Sequence, residues 1–98
     1  MKFKIFKFKD GKKGQWKEWC NVLNARKEEV VATLLEEKVT HELGVCIGDY
    51  FLYGMEGECL PASDCELNRE HKRNFRECLG PAETMPPGEG QIWFNFQI

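Results

Sequence analysis

Among the 98 residues of this chain, two histidines and a few polar or aromatic side chains have the type and setting to do chemistry. His71 lies four residues after Leu67 and four before Phe75, which puts it on the apolar stripe of a helix and turns it toward whatever that helix packs on. An imidazole there titrates near neutral pH and can pass a proton to or from a bound small molecule. The competing account is a core histidine whose nitrogens bond a strand carbonyl or a side chain. His41 shares a strand face with Leu43, Val45 and Ile47, so if that face meets the helices, both histidines look into one layer. Tyr53 and Trp93 suit stacking on a sugar ring or a flat substrate, and burial in an interface explains them equally well. Asn24 interrupts the apolar run of a helix together with Asn21 and Arg26. A polar cleft in which Arg26 holds an anionic group is one reason for such a placement, and a solvent-facing side is the other. The candidate set is therefore His71 as the catalytic residue, with His41, Tyr53, Trp93 and Asn24 lining a ligand site.

Other chemistries lack their residues. His41 and Glu42 are adjacent on a strand and point opposite ways, and Glu70 and His71 lie roughly 100° apart around a helix, so no metal is expected. No Gly-x-Ser-x-Gly elbow, phosphate loop or dinucleotide fingerprint is present, and no cofactor is expected. The five cysteines, Cys20, Cys46, Cys59, Cys65 and Cys78, include no Cys-x-x-Cys pair. They are expected to be free thiols in a reducing cytoplasm, with Cys59 and Cys65, which flank a loop, the only plausible disulfide pair. A formal net charge of −2 argues against nucleic acid or an anionic membrane as partner. The alternation of Lys2, Lys4, Lys7 and Lys9 with Phe3, Phe6 and Phe8 has the composition of a single-strand nucleic-acid groove, but lysines on an edge strand also block aggregation. No apolar run approaches the ~20 residues of a membrane span. The segment MKFKIFKFKD has neither the continuous apolar stretch nor the cleavage site of a signal peptide.

These residues need elements to position them. Lys2–Lys9 alternates with period two, placing Phe3 and Ile5 on one face and Phe6 and Phe8, with Lys2 and Lys4, on the other. Gly14–Lys38 is the longest helical pattern, with Trp16, Trp19, Cys20, Leu23, Val30, Val31, Leu34 and Leu35 along one side. Thr40–Ile47 and Tyr50–Glu56 form a hairpin across Gly48-Asp49. Ser63 or Asp64 caps a second helix that runs to about Leu79 and carries Leu67, His71, Phe75 and Cys78. Residues 80–90 hold three of the four prolines and are expected to be a loop. Gln91–Ile98 alternates again. A chain of this length forms one domain, residues 1–98. The order β-α-β-β-α-β predicts an α+β fold, the ferredoxin-like plait: a four-stranded antiparallel sheet with two helices on one face.

Two stretches, WKEWCNVLNARKEEVVATLLEEKVTHELGV followed by DYFLYGMEGE, and LNREHKRNFRECL, resemble a small family of uncharacterised bacterial proteins built around a domain of unknown function, over nearly the whole chain. That family is similar in turn to the dimeric α/β-barrel proteins, which include rhamnose-type sugar mutarotases and small cofactor-free monooxygenases. The resemblance implies a homodimer of two plaits packed sheet to sheet, with small molecules bound between sheet and helices. Where the mutarotase type carries a His-x-x-Ile-Trp-Pro run, this chain has Asn24-Ala25-Arg26-Lys27-Glu28-Glu29, so mutarotase activity does not transfer. The residues give the dimer a second argument: Phe6, Phe8, Tyr53 or Trp93 are expected on the uncovered sheet face, and such patches mark interfaces. Two functions follow. One is a homodimer that binds or isomerises a small metabolite without a cofactor. The other is a non-catalytic dimeric binding or interaction module.

Overall fold

A computed structural model describes residues 1–98. The chain runs β1 (Lys2–Phe8), α1 (Lys13–Ala25), α2 (Lys27–Glu37), β2 (Val39–Ile47), β3 (Tyr50–Gly57), α3 (Glu66–Cys78), β4 (Leu79–Pro81) and β5 (Gln91–Gln97). The fold is α+β, as the element order predicts, but the sheet has five strands in the order β4-β1-β3-β2-β5 and is not a closed barrel. All four pairings are antiparallel. Gln91–Gln97, the expected fourth strand, lies against β2, and the edge beside β1 is taken by the three residues Leu79–Pro81 that directly follow α3. Pro81 cannot donate to a ladder, which suits the end of a short edge strand.

The long helical pattern is two helices. At Arg26 the backbone leaves helical geometry (φ −106°, ψ 34°), and α2 starts at the next residue. Arg26 fixes the break from three sides. Its N–H bonds to Val22 O and Leu23 O, its Nε and Nη2 fork onto Glu29, and its Nη1 donates to Glu70 Oε2 on α3 (2.7 Å). The break lets α1 lie against α3 and β5 while α2 lies against β2. Trp16, Trp19, Cys20, Leu23, Val30 and Leu34 are buried as their spacing predicts, but Leu35 is 59% exposed. At its far end α2 closes on Lys38, a left-handed residue (φ 54°) whose N–H caps the carbonyls of Leu34 and Leu35. Helix α3 begins after Cys65 with no side-chain cap, so neither Ser63 nor Asp64 plays that part.

All three helices cover one face of the sheet. On that face stand Phe6 and Phe8 of β1, Phe51 and Tyr53 of β3, Glu42, Gly44 and Cys46 of β2, and Phe94 and Phe96 of β5. The aromatic rings interlock: Phe6 meets Phe75 edge-on at 4.8 Å, and Trp16 meets Phe51 edge-on at 5.4 Å. Gly44 is required by this packing. A Cβ there would sit 2.5 Å from Phe94 Cε2 and 2.6 Å from Phe51 Cζ. A register shift opposite Gly44 and Val45 breaks the simple alternation of β5, so Trp93 and Phe94 are both buried while Ile92 is 61% exposed.

The expected membership of the open face is therefore corrected. Phe6, Phe8, Tyr53 and Trp93 are all buried under the helices. The face away from the helices carries instead Phe3, Ile5, Leu43, Leu52 and Ile92, with Val45 and Ile47 partly covered by the backbone at Gly88 and Gly90. This face, the complementary half of each strand, mixes those apolar residues with Lys7, His41, Asn95 and Gln97.

Candidate functional site

Between the sheet and α2 and α3 lies a cavity of about 640 Å³, a size usual for small-molecule sites. Phe6, Leu23, Val30, Met55, Leu67 and Phe75 give it apolar walls. The chain from Gly57 to Cys65 closes one side through Cys59 and Ala62. That loop is held to the end of α2, where Glu58 N–H donates to Lys38 O (2.9 Å) and Leu60 N–H to Glu37 O (2.7 Å).

Three titratable side chains from three different elements meet in its wall. Tyr53 of β3 donates its hydroxyl hydrogen to Glu42 Oε1 of β2 at 2.8 Å, and the same hydroxyl lies 3.1 Å from His71 Nε2 of α3. Trp19 of α1 donates its indole N–H to His71 Nδ1 at 2.9 Å. The direction of every bond follows from the donor at the end. An indole N–H can only donate, so His71 Nδ1 must accept and the ring proton sits on Nε2. That Nε2–H points to the Tyr53 oxygen, and the Tyr53 O–H in turn points to Glu42. The result is one chain of donors, Trp19 to His71 to Tyr53 to Glu42, each bond polarising the next.

The electrostatics agree with this ordering. Burial pushes the His71 imidazole down to about 4, so the ring stays neutral at physiological pH. A second ring proton would also have to face the Trp19 N–H. Burial pushes the Glu42 carboxyl up to about 7, partly opposed by the Tyr53 hydrogen bond. Tyr53 is held well above the ordinary phenol range, first by burial and then by the neighbouring Glu42. Glu42 Oε2 has no hydrogen-bond partner and, unlike Trp16 Nε1, keeps some accessible surface, and Glu42 lines the cavity. The group placed to exchange a proton near neutral pH is thus Glu42.

The five residues singled out from the sequence fall in three places. His71 and Tyr53 share the cavity wall. His41 is on the opposite face of β2, where its Nε2 lies 2.6 Å from Asn95 Oδ1. The two histidines do not look into the same layer, because the face of β2 that meets the helices is that of Glu42, Gly44 and Cys46. Asn24 donates to the backbone carbonyl of Trp93 (2.8 Å), tying α1 to β5. Trp93 stacks on Phe8 at 5.8 Å with the Lys17 ammonium over its ring. Neither Asn24 nor Trp93 lines the cavity. The central residues that sequence reasoning missed are Glu42 and Trp19. Gly44, two residues after Glu42, was the available signal: a glycine in a strand marks a close approach from the packed side.

The fold and cavity define a small α+β domain with a buried carboxylate–phenol–imidazole chain beside an apolar chamber. A family model described as a family of unknown function (DUF6176) matches residues 1–45. The similarity covers less than half of the chain, a narrower span than the resemblance implied; it includes Trp19 and Glu42 and stops before Tyr53 and His71. No curated protein and no solved structure matches the chain. No helix is long and apolar enough to cross a membrane, and all five cysteines are unpaired.

Proposed function

We propose that this protein binds a small, largely apolar carbonyl compound between sheet and helices and isomerises it by proton transfer, without a cofactor. The observation that carries this is the donor chain ending on Glu42, a cavity-lining carboxylate raised into the neutral range with one oxygen free of hydrogen bonds. In the step, Glu42 Oε2 takes the proton from a carbon beside the substrate carbonyl. The C–H pair becomes the new double bond, and the carbonyl pair moves to oxygen. Once Glu42 is protonated it no longer needs the Tyr53 hydrogen bond, and the Tyr53 O–H is released to the enolate oxygen. Return of the proton from Glu42 to a different atom of the substrate completes an isomerisation with no outside reactant. His71 acts here as a positioning residue: its Nε2–H fixes the Tyr53 hydroxyl, and Trp19 fixes His71.

The test pairs a thermal-shift screen of small carbonyl metabolites with the Glu42→Gln variant. A true ligand raises apparent stability by mass action. Binding retained in Glu42→Gln with proton exchange lost supports the mechanism. Binding retained with no exchange in either protein identifies the non-catalytic binding module instead.

We also propose that the open sheet face pairs with a second copy, as in the dimeric α/β-barrel proteins. Phe3, 57% exposed, and Ile92, 61% exposed, stand on that face with Ile5, Leu43, Val45 and Leu52, and a symmetric dimer is the commonest way to cover such a surface. Sedimentation at micromolar concentration should give a dimer mass that Phe3→Asp converts to a monomer; a monomeric wild-type chain refutes the pairing. The unpaired thiols suit a reducing compartment such as the cytoplasm.

A further inference from the structure

The alternation at the start of β1 has a use that the sheet alone does not explain. Lys2, Lys4, Phe6 and Phe8 share one face of the strand. Phe6 and Phe8 pass under the helices, but no helix covers the first half of the strand, and Lys2 and Lys4 reach the rim of the cavity instead. Lys72, one residue after His71 on α3, lines the same cavity from the other side. None of these three ammonium groups makes a hydrogen bond or salt bridge within the chain; Lys4 lies over the Phe6 ring at 5.7 Å, and Lys72 is close enough to Glu37 to favour its ionised form. The sole carboxylate at the rim is Glu37, which is partly buried, with Glu42 deeper inside. A chain with net charge −2 thus gathers three cations, none of them in a salt bridge, at the mouth of its apolar chamber.

We infer that the ligand of this site is an amphipathic anion, with an apolar body in the chamber, an enolisable carbonyl at Glu42 and Tyr53, and an acidic group held at the rim by Lys2, Lys4 and Lys72. The inference rests on the proton-transfer function proposed above and adds the substrate class. Lysine ammoniums act as point charges without the planar fork of arginine, so the rim selects for charge over the geometry of the acid. A carboxylate and a phosphate monoester share the required chemistry.

Phenylpyruvate is a suitable probe, since it joins an aromatic body, an enolisable CH2 and a carboxylate. Its methyl ester keeps the first two and removes the charge, and phenyl phosphate tests the other acid. Dissociation constants come from calorimetry, and α-proton exchange into D2O from proton NMR. The acid should bind the wild-type protein at least ten-fold more tightly than the ester, about 1.4 kcal/mol, and its affinity alone should fall with added salt. Lys2→Gln/Lys4→Gln and, independently, Lys72→Gln should weaken the acid and leave the ester unchanged. Tighter binding of phenyl phosphate than of phenylpyruvate supports the anion site and assigns it to phosphates. Equal binding of acid and ester overturns the anion assignment and leaves the Glu42 site standing. Selective binding of the acid with α-proton exchange identical in wild type and Glu42→Gln overturns the proton-transfer function and leaves the anion site standing. Binding by none of the three probes overturns both.

Discussion

Replacing Glu42 by Gln should change how stability depends on pH, and the sign can be worked from two buried groups. Glu42 moves from an ordinary 4.5 when unfolded to about 7 when folded. Between those values the folded chain holds a proton that the unfolded chain has released. Its contribution is therefore full below pH 4.5 and is lost as pH rises through 7. At about 1.4 kcal/mol per pH unit the gap amounts to about 3 kcal/mol. His71 acts in the opposite sense. It moves from an ordinary 6.5 to about 4, so its contribution is full above pH 6.5 and is lost as pH falls toward 4. From pH 4.5 to 6.5 the two slopes offset one another. Glu42→Gln keeps the acceptor for the Tyr53 hydroxyl and removes one slope. The stability of the variant minus that of the wild type should then grow by about 3 kcal/mol between pH 4.5 and 8, equivalent to a relative gain of roughly 10 °C or more in midpoint for a domain of this size. Urea unfolding followed by tryptophan fluorescence across that range measures it. A difference that stays constant within about 0.5 kcal/mol would refute the assignment of a neutral-range carboxyl to Glu42.

Trp19→Phe keeps an aromatic ring but leaves His71 Nδ1 without its donor. It should cost about 1 kcal/mol and release the ring proton to exchange between Nε2 and Nδ1, read from the imidazole nitrogen shifts by NMR; an unchanged tautomer would show that the indole does not hold it. Gly44→Ala drives a methyl into the Phe94 and Phe51 rings and should cost about 1–3 kcal/mol of overpacking, measured by chemical denaturation, and a neutral result would mean that the two rings can slide apart.

The α+β class, the positions of most strands and helices, and the inward face of α3 were legible because each rests on local periodicity. Leu67, His71, Phe75 and Cys78 recur at helical spacing, and no tertiary fact is needed to place them on one side. The break at Arg26 was not legible in the same way. Its surroundings continue a helical pattern, and what accompanies the break includes an ion pair to Glu70, 44 residues away. The partner of Gln91–Gln97 was equally hidden, since a strand with apolar residues can sit at either edge of a sheet and only long-range pairing chooses.

The candidate site shows the same division more sharply. The sequence by itself determined that His71 points into the core and that Thr40–Ile47 has two distinct faces, because side-chain direction follows from helical and strand geometry. Which face of that strand meets the helices was decided only by tertiary structure. His41, Leu43, Val45 and Ile47 form the more hydrophobic row, yet the helices pack on Glu42, Gly44 and Cys46, where a missing side chain at Gly44 makes room for Phe51 and Phe94. That choice carries Glu42 under the helices and His41 out to the far side of the sheet. A carboxyl raised into the neutral range exists only once the packing of the helices on β2 has buried Glu42, and the same packing brings Tyr53, His71 and Trp19 into one hydrogen-bonded chain with it.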